Sequence, residues 1–265
     1  MNNIKAIFTD IDGTLLTTNK IVDDNTIQAL SKLKQLNISF GISTGRPVDN
    51  IKGLLNKWKI NDLVDYIIGN NGAEVYDKHN DITYENHYLT KDDIKKIYNI
   101  TKELNCSTVL YENDCILSNY KDEASINHAN RVGYKHKCIN YDEYINKSYP
   151  KVLLMTNKEN HDEIINIIKT NTEYSIFPSS DKLLEIVDNR VNKSNGIKII
   201  KDKLLLNTNN IVTFGDHLND YEMIRDYYGV AMGNAIKEIK DISSYITDTN
   251  DESGIASFIN KYIIK

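Results

Sequence analysis

Apolar and polar positions along the chain follow two different rhythms. Short runs rich in β-branched and aromatic residues fall at 6–9, 38–43, 66–68, 211–214 and 229–232. They have the length and composition of strands buried on both faces. Between them, apolar residues recur at helical spacing. Ile27, Leu30, Leu33 and Leu36 predict a helix over 24–37. Ile51, Leu54, Leu55 and Trp58 predict a second, with Pro47 at its first position, where a missing N–H costs nothing. Further helices are expected over 193–205, after Asp220, and over 254–262, and a returning strand over 74–76. Strands alternating with helices imply a parallel sheet covered on both faces.

The rhythm changes near residue 80. Thr90 and Asp93 resemble a capping box opening a helix that runs to 105, with Ile94, Ile97, Thr101 and Leu104 facing inward. Runs 107–111 and 115–118 predict a hairpin around Glu112-Asn113-Asp114. A helix over 122–131, a polar stretch without clear period to 147, a strand over 151–155, a helix over 160–169 and strands over 174–177 and 183–187 follow. Helix–hairpin units of this kind predict an α+β module with an antiparallel sheet. The expected architecture is therefore α/β: a doubly wound, Rossmann-like parallel-sheet core, 1–81 and 185–265, interrupted by an inserted α+β domain, 82–184.

Length and composition agree with this division. Two domains are the expectation for 265 residues, and 40% hydrophobic content supplies a real core. The net charge of −5 and the lack of a basic run argue against a nucleic-acid partner. Cys106, Cys115 and Cys138 are odd in number and form no Cys-x-x-Cys, as in a reducing cytosol. Asp10 and Asp12 interrupt the first apolar run, so it does not read as a signal peptide. No apolar stretch approaches the ~18 residues needed to span a bilayer. A cytoplasmic protein with no membrane partner is expected.

The candidate chemistry sits at strand ends. Asp10 and Asp12 close the first strand and share a face by the period of two, and Gly13 and Thr14 follow. Two carboxylates that close repel unless something positive lies between them or one is protonated. A calcium loop of the EF-hand type is excluded by spacing: counted from Asp10, Leu15 takes loop position 6, where glycine is required, and Ile21 position 12, where glutamate is required. Asp216 and Asp220 form a second acidic cluster at the end of another core strand, where both pairs can converge on one hard cation. Thr44-Gly45-Arg46-Pro47 forms a strand–turn–helix junction suited to phosphate. Lys193 begins a helix and could offset phosphate charge. His217 lacks clustered His or Cys partners and does not read as a zinc ligand.

Taken in order, these pieces resemble the haloacid dehalogenase-like superfamily, in its Cof-type branch of small-molecule phosphatases. The motifs are Asp10-Ile11-Asp12-Gly13-Thr14, Thr44-Gly45-Arg46-Pro47, Lys193 and Gly215-Asp216-x-x-Asn219-Asp220. Further local matches are Asn71-Gly72-Ala73, residues 230–235 and residues 249–256. Thr9, where the family often has an aromatic residue, and His217-Leu218 are departures that bear on substrate fine-tuning. The resemblance implies that Asp10 is the nucleophile and forms an aspartyl-phosphate, and that Asp12 serves as general acid and then base. It implies Mg²⁺ held by Asp10, Asp216 and the backbone carbonyl of Asp12, with Asp220 in or near the shell. Thr44 and Lys193 would contact the phosphoryl group, and Gly13, Thr14, Gly45, Arg46 and Asn219 would bind phosphate or substrate.

The insert would be the family's cap, closing over the site to select a small phosphorylated metabolite. Sugar phosphates, phosphorylated cofactors and nucleotides all fit. A phosphomutase on the same core is the alternative activity. A non-catalytic sensor is a third, and it predicts a damaged motif where this chain has every position filled.

Overall fold

The computed structural model describes residues 3–264, apart from the side chains of Asp142 and Glu143. The chain forms two compact units, one of residues 1–86 and 191–265 and the other of residues 87–190. These divisions lie a few residues later than the expected 81/82 and 184/185. The reason is strand pairing. Ile82–Glu85 hydrogen-bonds to the edge of the first unit's sheet, so the chain leaves that unit only after it. Leu183 and Leu184 pair with Met155 and Leu154 inside the second unit, so a cut at 184 would split a strand.

The first unit begins with β1 (Ala6–Thr9), α1 (Asp24–Gln35), β2 (Ser39–Ser43), α2 (Val48–Leu54), β3 (Tyr66–Gly69), β4 (Glu74–Asp77) and β5 (Ile82–Glu85). The second unit contains α3 (Lys91–Thr101), β6 (Ser107–Glu112), β7 (Cys115–Ser118), α4 (Glu123–Val132), β8 (Lys135–Cys138), α5 (Tyr141–Tyr144), β9 (Val152–Met155), α6 (His161–Asn171), β10 (Ser175–Ser180) and β11 (Leu183–Val187). The chain then returns to the first unit with α7 (Lys193–Lys203), β12 (Ile211–Gly215), α8 (Tyr221–Asp226), β13 (Tyr228–Ala231), α9 (Lys237–Ile242), β14 (Tyr245–Ile246) and α10 (Gly254–Tyr262).

The core sheet has the order β14-β13-β12-β1-β2-β3-β4-β5. Strands β14 through β3 pair in parallel, and β4 and β5 add an antiparallel edge. Every residue of β1, β3 and β12 is buried, which is why these strands read as continuous apolar runs. Strand order reverses beside β1: β2 follows on one side and β12 on the other. Ligands in open α/β sheets bind at such a switch point, beyond the carboxyl ends of the strands. The register places Thr9 opposite Phe214, so Asp10 and Asp216 emerge side by side.

Helix ends follow local chemistry. Asp23 caps α1 by accepting from the Thr26 N–H. Thr90 and Asp93 form the expected capping box on α3. Pro47 is the N-cap of α2 and lies just outside its first turn. Helix α3 stops at Thr101, short of the expected 105, and Leu104 is only half-buried.

The second unit's sheet has the order β10-β11-β9-β6-β7-β8, antiparallel except for β7 with β8. Its larger apolar cluster includes Ile94, Ile97, Leu110, Leu154, Ile164 and Ile168. The polar stretch before 147 contains β8 and α5. Strand β8 reads Lys-His-Lys-Cys because it is an edge strand, where charged residues are normal and leave no apolar period to find. Strand β5 is exposed for the same reason, and the two-residue β14 is too short to register as a pattern.

Candidate active site

Asp10 follows the last residue of β1, and its N–H is tied to the carbonyl of Phe214 at 3.0 Å. Asp216 follows the last residue of β12. Among the described residues, Asp10, Asp216 and Asp220 each present a carboxylate oxygen to a common point, the three lying within 4.8 Å of one another. Gly13 makes this approach possible. It has φ +87°, and a Cβ there would meet the Asp216 carboxylate at 2.5 Å.

Lys193 joins the cluster from the first turn of α7. Its Nζ lies 2.5 Å from Asp10 Oδ1 and 2.6 Å from Asp220 Oδ1, and it is wholly buried. Burial alone would favour the neutral amine, but the two carboxylates reverse this and hold Lys193 well above the usual lysine range. Asp10 is also shifted upward, to about 7. Burial raises its pKa, Lys193 opposes, and Asp220 and Asp216 raise it further. Asp216 is also raised, first by burial. Three carboxylates thus share one ammonium, a charge deficit that a divalent cation would remove.

The carboxylates are not equivalent. Asp220 accepts from Lys193, from the Asp216 N–H at 2.8 Å and from the His217 N–H at 3.1 Å, so it braces the loop as well as facing the cluster. Asp216 accepts from the Thr14 hydroxyl at 2.7 Å. Thr14 therefore differs from expectation: it is buried, its hydroxyl is spent on Asp216, and it orients a carboxylate from behind.

Asp12 does not share the partners of Asp10. The strand has ended at Thr9, so the alternation that would align the two carboxylates no longer applies. Arg46 grips Asp12 through Nη2 at 2.7 Å and Nε at 3.1 Å from Oδ2, and Lys20 Nζ lies 3.0 Å from Oδ1. Burial acts against its charge, but the hydrogen bonds and charges of Lys20 and Arg46 outweigh it and hold Asp12 below the usual carboxylate range.

A cavity of about 320 Å³ opens above these groups, lined by Asp10, Asp12, Thr44, Gly45, Arg46, Asp216, His217 and Asn219. Thr44 is buried, and its hydroxyl oxygen accepts from the Arg46 N–H at 3.3 Å, leaving the hydroxyl hydrogen to donate. Sequence reasoning did not single out Lys20, which sits within no recognisable spacing, and noted His217 as a departure inside the fourth motif, not as a lining residue.

The C-terminal motifs have a structural role here. Asn234 Nδ2 donates to the Gly13 carbonyl at 2.8 Å and Asn250 Nδ2 to the Leu16 carbonyl at 2.8 Å. Asp251 accepts from the N–H and hydroxyl of Thr18. Together they hold the loop that carries Asp12 and Gly13.

No helix among the described residues is long and apolar enough to cross a membrane. The sequence model of the haloacid dehalogenase-like hydrolases matches residues 7–259. A 5-amino-6-(5-phospho-D-ribitylamino)uracil phosphatase of Bacillus subtilis, YitU, is 29% identical, covering 96% of this chain and 95% of its own. A second Bacillus subtilis protein of the same description, YcsE, is 27% identical, covering 99% and 97%. The crystal structure of TM0651 from Thermotoga maritima superimposes with a TM-score of 0.85 at 25% identity, covering 97% of each chain. The acidic strand ends, the lysine at the start of α7 and the match over nearly the whole length agree: this chain belongs to the haloacid dehalogenase-like hydrolase family.

Proposed function

We propose that this enzyme, a hydrolase of phosphoric monoesters, acts on a small phosphorylated metabolite through a phosphoryl group carried on Asp10. The observation that carries the reading is the convergence of Asp10, Asp216, Asp220 and Lys193 beneath one cavity. A hard divalent cation fits this donor set, which is all oxygen and carries more negative charge than Lys193 balances. Asp10 and Asp216 would hold it, with Asp220 beside them, and we take it to be Mg²⁺. When bound, the ion would neutralise charge on the transferring phosphoryl group.

In the first half-reaction an Asp10 carboxylate oxygen attacks phosphorus. An aspartyl-phosphate forms as the bond to the ester oxygen breaks, and that oxygen takes a proton from Asp12. In the second, Asp12 removes a proton from water, the water oxygen attacks phosphorus, and the bond to Asp10 breaks to release inorganic phosphate. Asp12 as found is ionised and ready for the second step. The first requires that phosphate oxygens draw Arg46 away so that Asp12 can take up a proton. Thr44 donates to a phosphoryl oxygen, and Lys193 offsets its charge.

None of the core groups named here recognises a leaving group. We assign that task to the second unit, residues 87–190. The two Bacillus subtilis relatives, by their description, act on a phosphorylated ribitylamino-uracil. A small polyol or sugar phosphate, free or attached to a ring, is the substrate class to test first. Phosphate release should be measured across a panel of phosphorylated metabolites, with Asp10→Asn as control. Label from a radioactive ester should be found on the Asp10 peptide after acid quenching. Release without such label would replace the covalent route with direct attack by water.

A further inference from the structure

Residues 70–72 form a turn with positive φ at three successive positions, two of them non-glycine. Asn70, Asn71 and Gly72 have φ of 47°, 55° and 105°, a left-handed run that only glycine adopts without cost. The amide oxygens of Asn70 and Asn71 are also buried without a hydrogen-bond partner among the described residues. Strain and unsatisfied polar atoms persist only where the surroundings impose them.

The surroundings here are the two phosphate-facing segments. On one side, the Asn70 N–H donates to the Arg46 carbonyl and the Asn71 N–H to the Thr44 carbonyl, both at 2.9 Å. The Asn71 amide lies so close to Gly45 that a Cβ there would meet it at 3.2 Å. On the other side, Gly72 lies against the residue before Lys193. A Cβ at Gly72 would sit 2.1 Å from the Asn192 carbonyl oxygen and 3.4 Å from the Lys193 nitrogen. Gly196, one turn along α7, packs on the same spot, with a Cβ position 3.1 Å from Gly72 Cα. Asn86 holds the turn from outside by donating to the Gly72 carbonyl at 2.8 Å.

We propose that the Asn70-Asn71-Gly72 turn is a positioning element that fixes the distance between the Thr44–Arg46 loop and Lys193, with Gly72 as its critical residue. The inference rests on the reading above that Thr44 and Lys193 hold the phosphoryl group. The loop and the helix start are 149 positions apart in sequence, counted from Thr44 to Lys193. Either could shift by a few tenths of an ångström without unfolding the sheet. The turn touches both, so it converts two separate strand ends into one cradle. Displacements of about 1 Å in such a cradle cost on the order of a hundredfold in rate.

The test compares two glycines that meet equal collisions. A Cβ at Gly229 would also lie 2.1 Å from a carbonyl oxygen, that of Ile224, between β13 and α8. Gly72→Ala and Gly229→Ala are measured for thermal stability, for inhibition by inorganic phosphate and for turnover of p-nitrophenyl phosphate. Both should lose stability. Only Gly72→Ala should weaken phosphate binding at least tenfold and lower kcat about a hundredfold. Asn86→Ala removes a support without a collision and serves if Gly72→Ala does not fold; its phosphate affinity should fall about threefold at nearly unchanged stability. Phosphate affinity and kcat within twofold of the parent in the folded Gly72→Ala protein, or in Asn86→Ala if the former does not fold, would overturn the inference. If Lys193→Ala itself leaves phosphate affinity unchanged, the underlying reading of the site fails instead, and the inference falls with it.

Discussion

Lys193 places its ammonium 2.5 Å from Oδ1 of Asp10, and the lysine is wholly sealed from solvent. A buried ion pair of this kind is a poor device for stability, because desolvation offsets most of the attraction. Its presence at the carboxyl ends of β1 and β12 is therefore better explained by chemistry. The lysine opposes the burial that raises the Asp10 pKa to about 7, and so favours the charged form that can attack phosphorus.

Asp10→Asn should consequently give a folded protein with turnover reduced on the order of a thousandfold or more. The amide keeps the size of the side chain, and Lys193 retains Asp220 as a partner. Phosphate release and a thermal melt on the same preparation check this. Substantial residual activity would mean that Asp10 is not the nucleophile.

Mg²⁺ should raise the melting temperature of the metal-free protein, because an ion that binds only the folded state stabilises it by mass action. The shift should vanish in Asp216→Asn. Activity should be lost on chelation and return with Mg²⁺ but poorly with Ca²⁺, which prefers looser, higher coordination. Full activity after exhaustive chelation, or an undiminished melting shift in Asp216→Asn, would refute the assignment.

Replacing residues 87–190 by a short Gly/Ser linker should leave slow, unselective hydrolysis of small phosphates. The first unit has its own continuous core, built from residues on both sides of the insertion, including Phe8, Phe40, Phe214 and Phe258. The intact protein should discriminate among the same compounds and leave phosphoproteins untouched. An identical ranking of substrates in both proteins would show that the second unit does not set specificity.

His128 in the second unit should make the protein acid-sensitive. Arg131 Nη2 lies 2.9 Å from His128 Nδ1, and a guanidinium can only donate. Nδ1 is therefore the acceptor, and Nε2–H donates to the Tyr111 hydroxyl at 2.6 Å. Burial first, then Arg131 and Lys151, pull the histidine down to about 4 from its ordinary 6.5. The unfolded chain then binds a proton that the folded one refuses. The stabilisation is complete above about pH 6.5 and is lost as pH falls from there toward 4, an effect on the order of 3 kcal/mol. His128→Gln keeps a donor and an acceptor but does not titrate. Denaturant unfolding at about pH 7.5 and 5 should show a smaller loss in this variant; equal losses would rule His128 out as the cause.

How much of this was legible beforehand depends on the reach of the interaction. The buried strands β1, β3 and β12 and the amphipathic helices α1 and α10 announce themselves, because burial on both faces or on one stripe imposes a period. The motifs around Asp10, Thr44, Lys193 and Asp216 were visible as short strings for a related reason: each sits where a strand or helix must end, within a few residues. Edge elements such as β5 and β8 were not visible, since no apolar face constrains them.

Only the tertiary structure decided which of these strings meet. It placed Asp10, Asp216 and Asp220 within 4.8 Å, gave Asp12 to Arg46 and Lys20, and turned the Thr14 hydroxyl onto Asp216. Apart from Lys20 with Asp12 and Asp216 with Asp220, these contacts join residues far apart in sequence, and their geometry is set by sheet register and by how closely a glycine lets two backbones approach. A linear string specifies the residues that can make such contacts. The distances between them come from packing, which is a property of the whole fold.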